Sequence, residues 1–321
     1  MMTIDEFYQE WNNTEDKLLV HTSGSTGKPK PLWVEKRRME ASANITCDFL
    51  GLKKGDTALL CMSLDYIAGK MMVVRSIVRE LNLIVVTPSG HPLSNIKTPI
   101  DFAAMGPLQV YNSLQIPAEK ECLKQIKNLI IGGGAIDDEL ATTLKSFPNG
   151  VWSTYGMTET LSHIALRRLS GESASDWYTP FPSVKVSLNE DNCLVIDASL
   201  VCSETLKTND IAEIHNGQFR ILGRKDNVIV SGGVKIQIEE IERLLKPHIK
   251  TPFLITKRKD KKFGEIVVML TSSNTTGAKA ICEQLLPKYW QPCNYIFTEN
   301  IPMTDTGKPA RKEAEKIAEM G

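Results

Sequence analysis

The sequence predicts an α/β protein. We expect a large domain of mostly parallel sheets flanked by helices, with a small β-rich subdomain, followed by a small α+β C-terminal domain. Short apolar runs alternate with helical patterns from residue 17 to about 160, and β-rich segments follow between 184 and 222. A mixed set of helices and strands comes after the charged turn Gly223–Asp226. We therefore place the domain boundary at that turn, with domains at 1–225 and 226–321.

The elements of the large domain follow from the spacing of apolar residues. Its strand-like runs are LLVHT, TALLCM, LIVVT, NLIIG and VWSTYG, and the helical patterns between them include 35–50, 65–80 and 137–146. Such alternation is typical of βαβ units in a largely parallel sheet. The later segments VKVSL, CLVID, IAEI and FRIL are separated by turn signals and predict a small antiparallel subdomain.

The C-terminal region mixes both kinds of element. After the charged turn come a strand, a glycine pair and the amphipathic helix IEEIERLL. The strand-like runs PFLIT and EIVVML, the helix AKAICEQLL and the strand NYIFTE complete the predicted set.

The composition excludes several classes of protein. The 321 residues include 38 basic and 38 acidic side chains, and 42% are hydrophobic. Disorder and a nucleic-acid partner are disfavoured, because the first needs low hydrophobicity with high net charge and the second a basic excess. Apolar runs are too short to span a membrane, and the acidic start MMTIDEFYQEW does not resemble a signal peptide. We expect a cytoplasmic protein that acts on small molecules, and the sequence leaves open a homo-oligomer.

Cysteine and histidine spacing gives no support for a metal held by nitrogen or sulfur. The seven cysteines are scattered without a CxxC pair, and the five histidines include no HExxH pair. We therefore expect reduced thiols, and any metal should be a hard ion bound by oxygen.

The strongest local motif is HTSGSTGKPKP at residues 21–31. Its glycines allow backbone N–H groups to converge on an anion, while the hydroxyls and lysines add donors and positive charge. The motif differs from the GxxxxGK[ST] loop, and a surface turn is the alternative. We interpret it as a phosphate-binding loop formed by Thr22, Ser23, Gly24, Ser25, Thr26, Gly27 and Lys28.

The motif resembles the phosphate loop of the adenylate-forming ligases, with Pro31 in place of a usual glycine. This family includes acyl-CoA synthetases, luciferases and peptide-synthetase adenylation domains. Further segments resemble family motifs and occur in the family's order: GGGA at 132–135, YGMTET at 155–160, TND at 208–210, GRKD at 223–226 with SGGVK at 231–235, and PMTDTGK at 302–308. The resemblance implies a two-domain fold with the active site between a large and a small domain.

The resemblance also implies an ATP site. In addition to the phosphate loop, the matching positions are Gly133, Gly134, Ala135, Tyr155, Gly156, Asp210 and Arg224. Tyr155 would lie along the adenine ring, Asp210 would accept hydrogen bonds from the ribose hydroxyls, and Arg224 would help to hold that sugar. A π face, an acceptor pair and a donor fork suit these roles.

Three further residues are candidates for catalysis. Thr158 and Glu159 follow a predicted strand end, where the Glu159 carboxylate would bind the Mg²⁺ that bridges ATP phosphates; a helix cap is the alternative. By resemblance, Lys308 would bridge the acid's carboxylate and the α-phosphate and offset developing charge. An ordinary surface lysine is the alternative.

The small domain carries the residues that the resemblance assigns to the thiol step. Gly232, Gly233 and Lys235 would face the pantetheine arm of CoA, the second co-substrate. Asp226 would be the hinge about which the small domain turns between the two half-reactions. A turn beside a strand is compatible with both roles.

Two segments, 63–93 and 155–168, look like the o-succinylbenzoate:CoA ligases of menaquinone biosynthesis. The candidate acid-binding residues are Tyr66, Gly69, Arg75, Ser162 and His163. An amphipathic core helix explains the apolar members of this region equally well, and a lone histidine is more often a packed residue.

The phosphate loop begins near residue 21, whereas most family members carry over a hundred residues before it, so we expect a shortened N-terminal lobe. The sequence thus predicts an AMP-forming acid:CoA ligase that uses ATP, Mg²⁺ and CoA. The alternatives are another aryl-CoA ligase, an adenylation module that loads a carrier protein, and a non-catalytic nucleotide-binding relic.

Overall fold

The computed structural model describes residues 2–21, 31–272, 275–304 and 308–321. These residues form helices and strands arranged in four sheets. The helices are α1 (Ile4–Asn12), α2 (Lys36–Leu50), α3 (Ile67–Arg79), α4 (Pro107–Gln115), α5 (Pro117–Gln125), α6 (Asp138–Lys145), α7 (Ile238–Leu245), α8 (Thr275–Leu285) and α9 (Arg311–Met320). Among these helices, none is long and apolar enough to cross a bilayer.

The strands of the N-terminal part are β1 (Lys17–His21), β2 (Pro31–Glu35), β3 (Thr57–Leu60), β4 (Asn82–Val85), β5 (Phe102–Met105), β6 (Asn128–Ile131), β7 (Gly150–Gly156), β8 (His163–Arg168) and β9 (Thr179–Pro180). Those that follow are β10 (Lys185–Leu188), β11 (Cys193–Asp197), β12 (Leu206–His215), β13 (Gln218–Arg224), β14 (Val228–Ser231), β15 (Val234–Gln237), β16 (Phe253–Asp260), β17 (Gly264–Thr271) and β18 (Asn294–Phe297).

A seven-stranded sheet in the order β4-β3-β5-β6-β7-β8-β9 lies at the centre of the N-terminal part. The strands from β4 to β7 are parallel, whereas β8 and β9 are antiparallel additions at one edge. Helices cover both faces, so β3 is apolar on both: Ala58 and Leu60 pack with α2 and α3, and Leu59 packs with α4 to α6. The parallel strands end at one edge, which is where ligands bind in open α/β sheets.

Two smaller sheets complete the fold. Strands β10 to β13 form an antiparallel sheet whose buried residues, including Ala212 and Phe219, join the core on the α2 and α3 side of the central sheet. The C-terminal sheet has the order β15-β14-β17-β16, with β18 parallel to β17. Helices α7 and α8 pack on one face of that sheet, and Ala314 and Ala318 of α9 pack on the other.

The predicted fold class is confirmed, including the antiparallel subdomain and the C-terminal α+β region. The expectation for β1 is wrong: this strand does not enter the parallel sheet but pairs antiparallel with β2 in a separate two-stranded sheet. The apolar run of β1 is as long as a buried parallel strand, which is why a place in the parallel sheet was expected. Its partner is instead β2, at the far end of the phosphate-loop motif. Sheet membership changes between Arg224 and Val228, and the boundary at 225/226 stays a prediction.

Gly69 gives a stability prediction, because α3 crosses the turn after β3 at this residue. A Cβ on Gly69 would lie 2.3 Å from the Ser63 carbonyl oxygen, a backbone atom that cannot move aside alone. We expect Gly69→Ala to lower the free energy of unfolding by about 1–3 kcal/mol through overpacking. Urea unfolding followed by circular dichroism measures it.

Gly277 of α8 is the matched control, since a Cβ there meets open space. Gly277→Ala should leave stability unchanged or raise it by at most about 1 kcal/mol through helix propensity. Equal effects of the two substitutions would contradict the close approach of α3 to Ser63.

Candidate active site

The carboxyl edge of the central sheet gathers several of the sequence-predicted residues. Gly133, Gly134 and Ala135 lie in the turn after β6, and β7 ends with Tyr155 and Gly156. A Cβ on Gly156 would lie 2.2 Å from the Ser162 carbonyl oxygen and 2.5 Å from the His163 Cα. Only glycine therefore allows the end of β7 to pass so close to the start of β8.

Asp210 is the centre of a hydrogen-bonded cluster at this edge. The Tyr155 hydroxyl donates to Asp210 Oδ2 at 2.6 Å, and Arg224 Nη1 donates to Asp210 Oδ1 at 3.0 Å. Asp210 lies opposite Arg224 in the β12–β13 register, and its side chain is 13% exposed. Burial, the Asp210 charge and the hydrogen bond to it together raise the pKa of Tyr155 well above its usual range, so the phenol stays protonated. Two of the side chains assigned to the nucleoside by sequence, Tyr155 and Arg224, thus both contact the third, Asp210.

Arg224 also contacts the turn between the four-stranded sheet and the C-terminal sheet. Its Nε and Nη2 donate to the two carboxylate oxygens of Asp226 at 2.9 and 3.0 Å. Its carbonyl accepts from Gln237 Nε2 at 3.0 Å. Sequence reasoning assigned Asp226 as a hinge only, whereas in the structure its side chain also orients the Arg224 fork.

Lys308 is half-buried and lies three positions before Arg311, the first residue of α9. Its N–H donates to Thr304 Oγ1 at 3.1 Å, and its carbonyl accepts from the Thr304 N–H at 2.7 Å. Burial and the positive charge of Arg224 lower the pKa of the Lys308 ammonium. The Arg224 charge therefore acts on Lys308, although 84 positions separate the two residues in the sequence.

Thr158 and Glu159 lie in a short 3-10 helix, Thr158–Thr160, directly after β7. Thr158 is buried and Glu159 is exposed. Among the residues that the structure describes, no group of three or more histidine, cysteine, aspartate or glutamate side chains could hold a metal. A single exposed carboxylate nevertheless fits Mg²⁺, which is usually held by one or two carboxylates together with water and substrate phosphates.

The predicted phosphate loop, Thr22, Ser23, Gly24, Ser25, Thr26, Gly27 and Lys28, lies outside the described residues. The flanking strands are described, and His21 of β1 pairs with Pro31 of β2.

A second polar cluster contains three of the five candidate acid-binding residues. Arg75 Nη2 donates to Ser162 Oγ at 2.6 Å and to Thr46 Oγ1 at 3.5 Å. His163 bridges the same two hydroxyls, with Nδ1 3.1 Å from Ser162 Oγ and Nε2 3.1 Å from Thr46 Oγ1. Burial, followed by the Arg75 charge, lowers the pKa of His163, which is therefore neutral at pH 7. Thr46 completes the cluster. In the sequence it is only a polar residue within an amphipathic helix, so nothing marks it as a site residue.

The Arg75 guanidinium is buried without a carboxylate partner among the described residues. Arg75 is 2% exposed, and within the described part of the chain its Nε has no hydrogen-bond acceptor. Burial lowers the pKa of Arg75 to about 10, so it remains charged at neutral pH. An uncompensated buried cation is costly, and an anion placed beside it would offset that cost.

The other two candidate acid-binding residues are located differently. Tyr66 precedes α3 and is 38% exposed. Arg75 lies nine positions later, which corresponds to about 14 Å along the helix axis. Gly69 is buried against Ser63. The cluster is therefore formed by Arg75, Ser162 and His163.

The three residues assigned to CoA are exposed on the C-terminal part of the chain. Gly232 and Gly233 form the turn between β14 and β15, with φ of +57° and +85°, and Lys235 follows in β15. The Gly232 N–H donates to the Phe263 carbonyl at 2.8 Å, which fixes the turn against the β16–β17 hairpin.

An ion pair joins the loop after β6 to the C-terminal part of the chain. Lys246 Nζ, at the end of α7, lies 2.8 Å from Asp137 Oδ2. The other Asp137 oxygen caps α6 by accepting from the Leu140 N–H at 2.8 Å. This one carboxylate therefore fixes the start of α6 and contacts the element that follows the candidate hinge.

A model of the AMP-binding enzyme family matches residues 7–201, more than half of the chain, and the chain therefore belongs to that family. The 2-succinylbenzoate--CoA ligase of Escherichia coli is 26% identical over 304 residues, which cover 89% of this chain and 65% of that protein. The corresponding Lactococcus lactis enzyme is 23% identical over 92% of this chain and 70% of its own length. The chain thus spans about two thirds of the length of these relatives.

Solved structures agree with the family assignment. An acyl-CoA synthetase (AMP-forming)/AMP-acid ligase II-like protein from Dyadobacter fermentans is 32% identical, with a TM-score of 0.66 over 98% of this chain and 92% of that one. The O-succinylbenzoate coenzyme A synthetase of Bacillus subtilis, solved with ATP and a magnesium ion, shares the fold. That chain is 21% identical, with a TM-score of 0.76 over 92% of this chain and 69% of its own. The family resemblance inferred from the motifs is confirmed.

Asp137 has two contacts that substitutions can separate. Asp137→Asn keeps an N-cap acceptor but removes the charge, so we expect it to lower the free energy of unfolding by no more than about 1 kcal/mol. Asp137→Ala loses the cap as well and should lower it by about 1 kcal/mol more. Urea unfolding measures both changes.

Lys246→Met tests the ion pair from its other side. In a double-mutant cycle with Asp137→Asn, the coupling energy should lie between about 0.2 and 1 kcal/mol at low salt and should shrink in high salt. A coupling that is absent at low salt would contradict the contact between these elements.

Proposed function

We propose that this chain is an ATP-dependent acid:CoA ligase, with o-succinylbenzoate, the acid of menaquinone biosynthesis, as its substrate. Its carboxylate would be activated as an acyl-AMP and then transferred to CoA. The observation that carries the proposal is the contact of Tyr155, Asp210 and Arg224, with Lys308 within electrostatic range of the same arginine. The 2-succinylbenzoate--CoA ligase names of the relatives support the choice of acid.

The Asp210 cluster has the chemistry that a nucleoside requires. Asp210 offers two acceptor oxygens to the ribose hydroxyls, and these hydroxyls would replace the donors that it now has from Tyr155 and Arg224. Tyr155 offers an aromatic face to adenine, and Gly133, Gly134 and Ala135 leave room for the base at the neighbouring turn. The loop 22–28 would hold the phosphates.

In the first half-reaction, an acid carboxylate oxygen attacks the α-phosphorus of ATP, and the bond to pyrophosphate breaks. Lys308 would donate hydrogen bonds to the carboxylate and to the α-phosphate oxygens, where negative charge develops. Mg²⁺, held by Glu159 beside Thr158, would neutralise charge on the phosphates. The partial burial of Lys308 would limit the competition of water for these contacts.

In the second half-reaction, the CoA thiol loses its proton to solvent and the thiolate attacks the acyl carbon, which releases AMP. Gly232 and Gly233 leave their backbone open to a narrow pantetheine arm, and Lys235 adds a positive charge beside them. Rotation about Asp226 would bring this turn to the site and carry Lys308 away.

Arg75 supports an acid with two carboxylates. One carboxylate of o-succinylbenzoate reacts, and the other needs a cation within the protein. Arg75 is a buried cation that lacks a carboxylate partner in the described part of the chain, and its Nη2 donates to the half-buried Ser162 hydroxyl. A monocarboxylic acid would leave this charge uncompensated.

A carrier-protein adenylation module is the alternative from a different class. Such a module would make acyl-AMP but would not need free CoA. A turnover assay with and without CoA distinguishes the two, and retained turnover that depends on a carrier protein alone would replace the proposal.

Lys308→Ala tests the first half-reaction. We expect acid-dependent pyrophosphate release to fall by about 10²- to 10³-fold, because the lysine acts mainly on the transition state, while ATP affinity changes little. Lys316→Ala removes an exposed lysine of α9 and should retain normal activity. Near-normal acyl-AMP formation by Lys308→Ala would contradict the assignment.

Arg75→Met tests the acid. The KM for o-succinylbenzoate should rise by about 10- to 100-fold, the worth of a hydrogen bond to a charged group. The KM for 4-oxo-4-phenylbutanoate, which lacks the ring carboxylate, should change by less than about threefold. Pyrophosphate release measured over a range of acid concentrations gives both values.

Stability should respond differently, because removing an uncompensated buried charge removes a desolvation cost. The free energy of unfolding of Arg75→Met should therefore stay within about 1 kcal/mol of the wild type or exceed it. Arg79→Met, on the same helix, removes a cation that is paired with Asp48 and should leave both KM values unchanged. An equal rise in KM for the two acids would show that Arg75 does not recognise the second carboxylate.

A further inference from the structure

Backbone contacts join the described residues on the two sides of Lys308, 302–304 and 308–310, which we call the Lys308 loop. The Ala310 N–H donates to the Pro302 carbonyl at 3.0 Å, and Met303 pairs with Pro309 in an antiparallel bridge. These contacts fix the two sides of the loop to each other. These backbone contacts do not themselves reach the sheet, and a polar contact just beyond the loop joins it to the sheet.

Arg311, the first residue of α9, supplies that contact. Its Nη1 and Nη2 donate to the two carboxylate oxygens of Glu242 at 2.7 Å each. Nη1 also donates to the Ile255 carbonyl at 2.8 Å, and the Ile255 N–H donates to Glu242 Oε1 at 2.9 Å. The two side chains are only 19% and 21% exposed, so the bidentate pair is well shielded from water. This cluster, which we call the Arg311 clamp, joins α9, α7 and β16.

Helix α7 connects the Arg311 clamp to the candidate hinge. Glu242 lies three residues after Glu239 on this helix, and Glu239 accepts hydrogen bonds from Asn227 and Gln237 beside the Arg224 turn. Burial acts to lower the pKa of Arg224 and of Arg311, but neighbouring carboxylates raise both: mainly Asp226 and Asp210 for Arg224 and Glu242 for Arg311, with Glu239 contributing to each. Buried Ile238, Ile241 and Leu245 anchor α7 in the core. One short helix therefore contacts both the hinge region and the base of the Lys308 loop.

We propose that Arg311 and Glu242 are positioning residues for Lys308, which hold its loop at a fixed place relative to the hinge through α7. This inference rests on the proposed function. Neither residue needs to touch the substrate. A displacement of about 1 Å at a catalytic group can lower a rate by about 100-fold, and a bidentate pair fixes both distance and orientation.

The effect should be confined to the half-reaction that uses Lys308. When the small domain turns for thioester formation, Lys308 leaves the site, so the geometry of its loop should no longer matter. General damage to the domain would slow both half-reactions, because the Gly232–Gly233 turn belongs to the same sheet.

The test uses Arg311→Lys, which keeps the charge but loses the fork, and Glu242→Gln, which keeps the shape but loses the charge. We expect acyl-AMP formation in a single turnover to slow by about 10- to 100-fold, with the KM for ATP within about threefold of the wild type. Transfer from supplied acyl-AMP to CoA should stay within about twofold. Glu265→Gln is the control, since its pair with Lys257 at 3.0 Å in the same sheet has comparable exposure. Its acyl-AMP formation should be normal.

A second readout requires no turnover. Competitive acetylation followed by mass spectrometry gives the pKa of Lys308, which should rise toward its ordinary value in both variants as the ammonium moves away from Arg224 and into water. An unchanged Lys308 pKa, equal slowing of both half-reactions, or normal acyl-AMP formation in both variants would overturn the proposal. If the wild type forms no acyl-AMP with any acid, the proposed function fails, and the pKa measurement alone then decides whether the Arg311 clamp positions Lys308.

Discussion

The arrangement of the site depends on the two hydrogen bonds that the Asp210 carboxylate accepts. It accepts from Tyr155 at the end of the central sheet and from Arg224 at the end of the four-stranded sheet. A carboxylate as little exposed as this one must be compensated, and both compensating donors come from elements that meet at the carboxyl edge. Arg224 extends the network to Asp226 and lowers the pKa of Lys308 through its charge, after the larger effect of burial. Tyr155, Asp210, Arg224, Asp226 and Lys308 thus form one electrostatic network, which joins two sheets to the C-terminal part of the chain.

The charged residues outside this network separate into two kinds. Arg311 is shielded from water but has a carboxylate and a carbonyl as partners, as expected of a group that holds elements together. Arg75 is more deeply buried, and within the described part of the chain its guanidinium donates to hydroxyl oxygens and a thioether rather than to a carboxylate. Folding alone gives no reason to bury a cation in this way, because an apolar residue would pack at lower cost. The uncompensated charge of Arg75 is the basis for the proposed recognition of a second carboxylate, whereas the paired charge of Arg311 is explained by its structural contacts.

Much of the fold and part of the site could be predicted from the sequence. Tyr155 and Arg224 were identifiable because they lie at strand ends in recognisable motifs. Apolar spacing indicated the parallel strands β3, β4, β6 and β7, but it missed β5. Contacts between distant segments could not be predicted: Thr46 joins the Arg75 cluster from another helix, and Glu242 meets Arg311 across 69 positions. The error at β1 has the same origin, since an apolar run does not identify its partner strand. The α1 start had a readable signal, a Thr3 and Glu6 capping box.

Binding of AMP and of 2′,3′-dideoxy-AMP to the wild-type protein, measured by isothermal titration calorimetry, tests the central role of Asp210 most directly. If the Asp210 carboxylate receives the ribose hydroxyls, AMP should bind at least about 10-fold more tightly than the analogue without them, since each hydrogen bond to a charged acceptor contributes about 1.5–3 kcal/mol. Equal affinities for the two nucleotides would contradict a ribose site at Asp210.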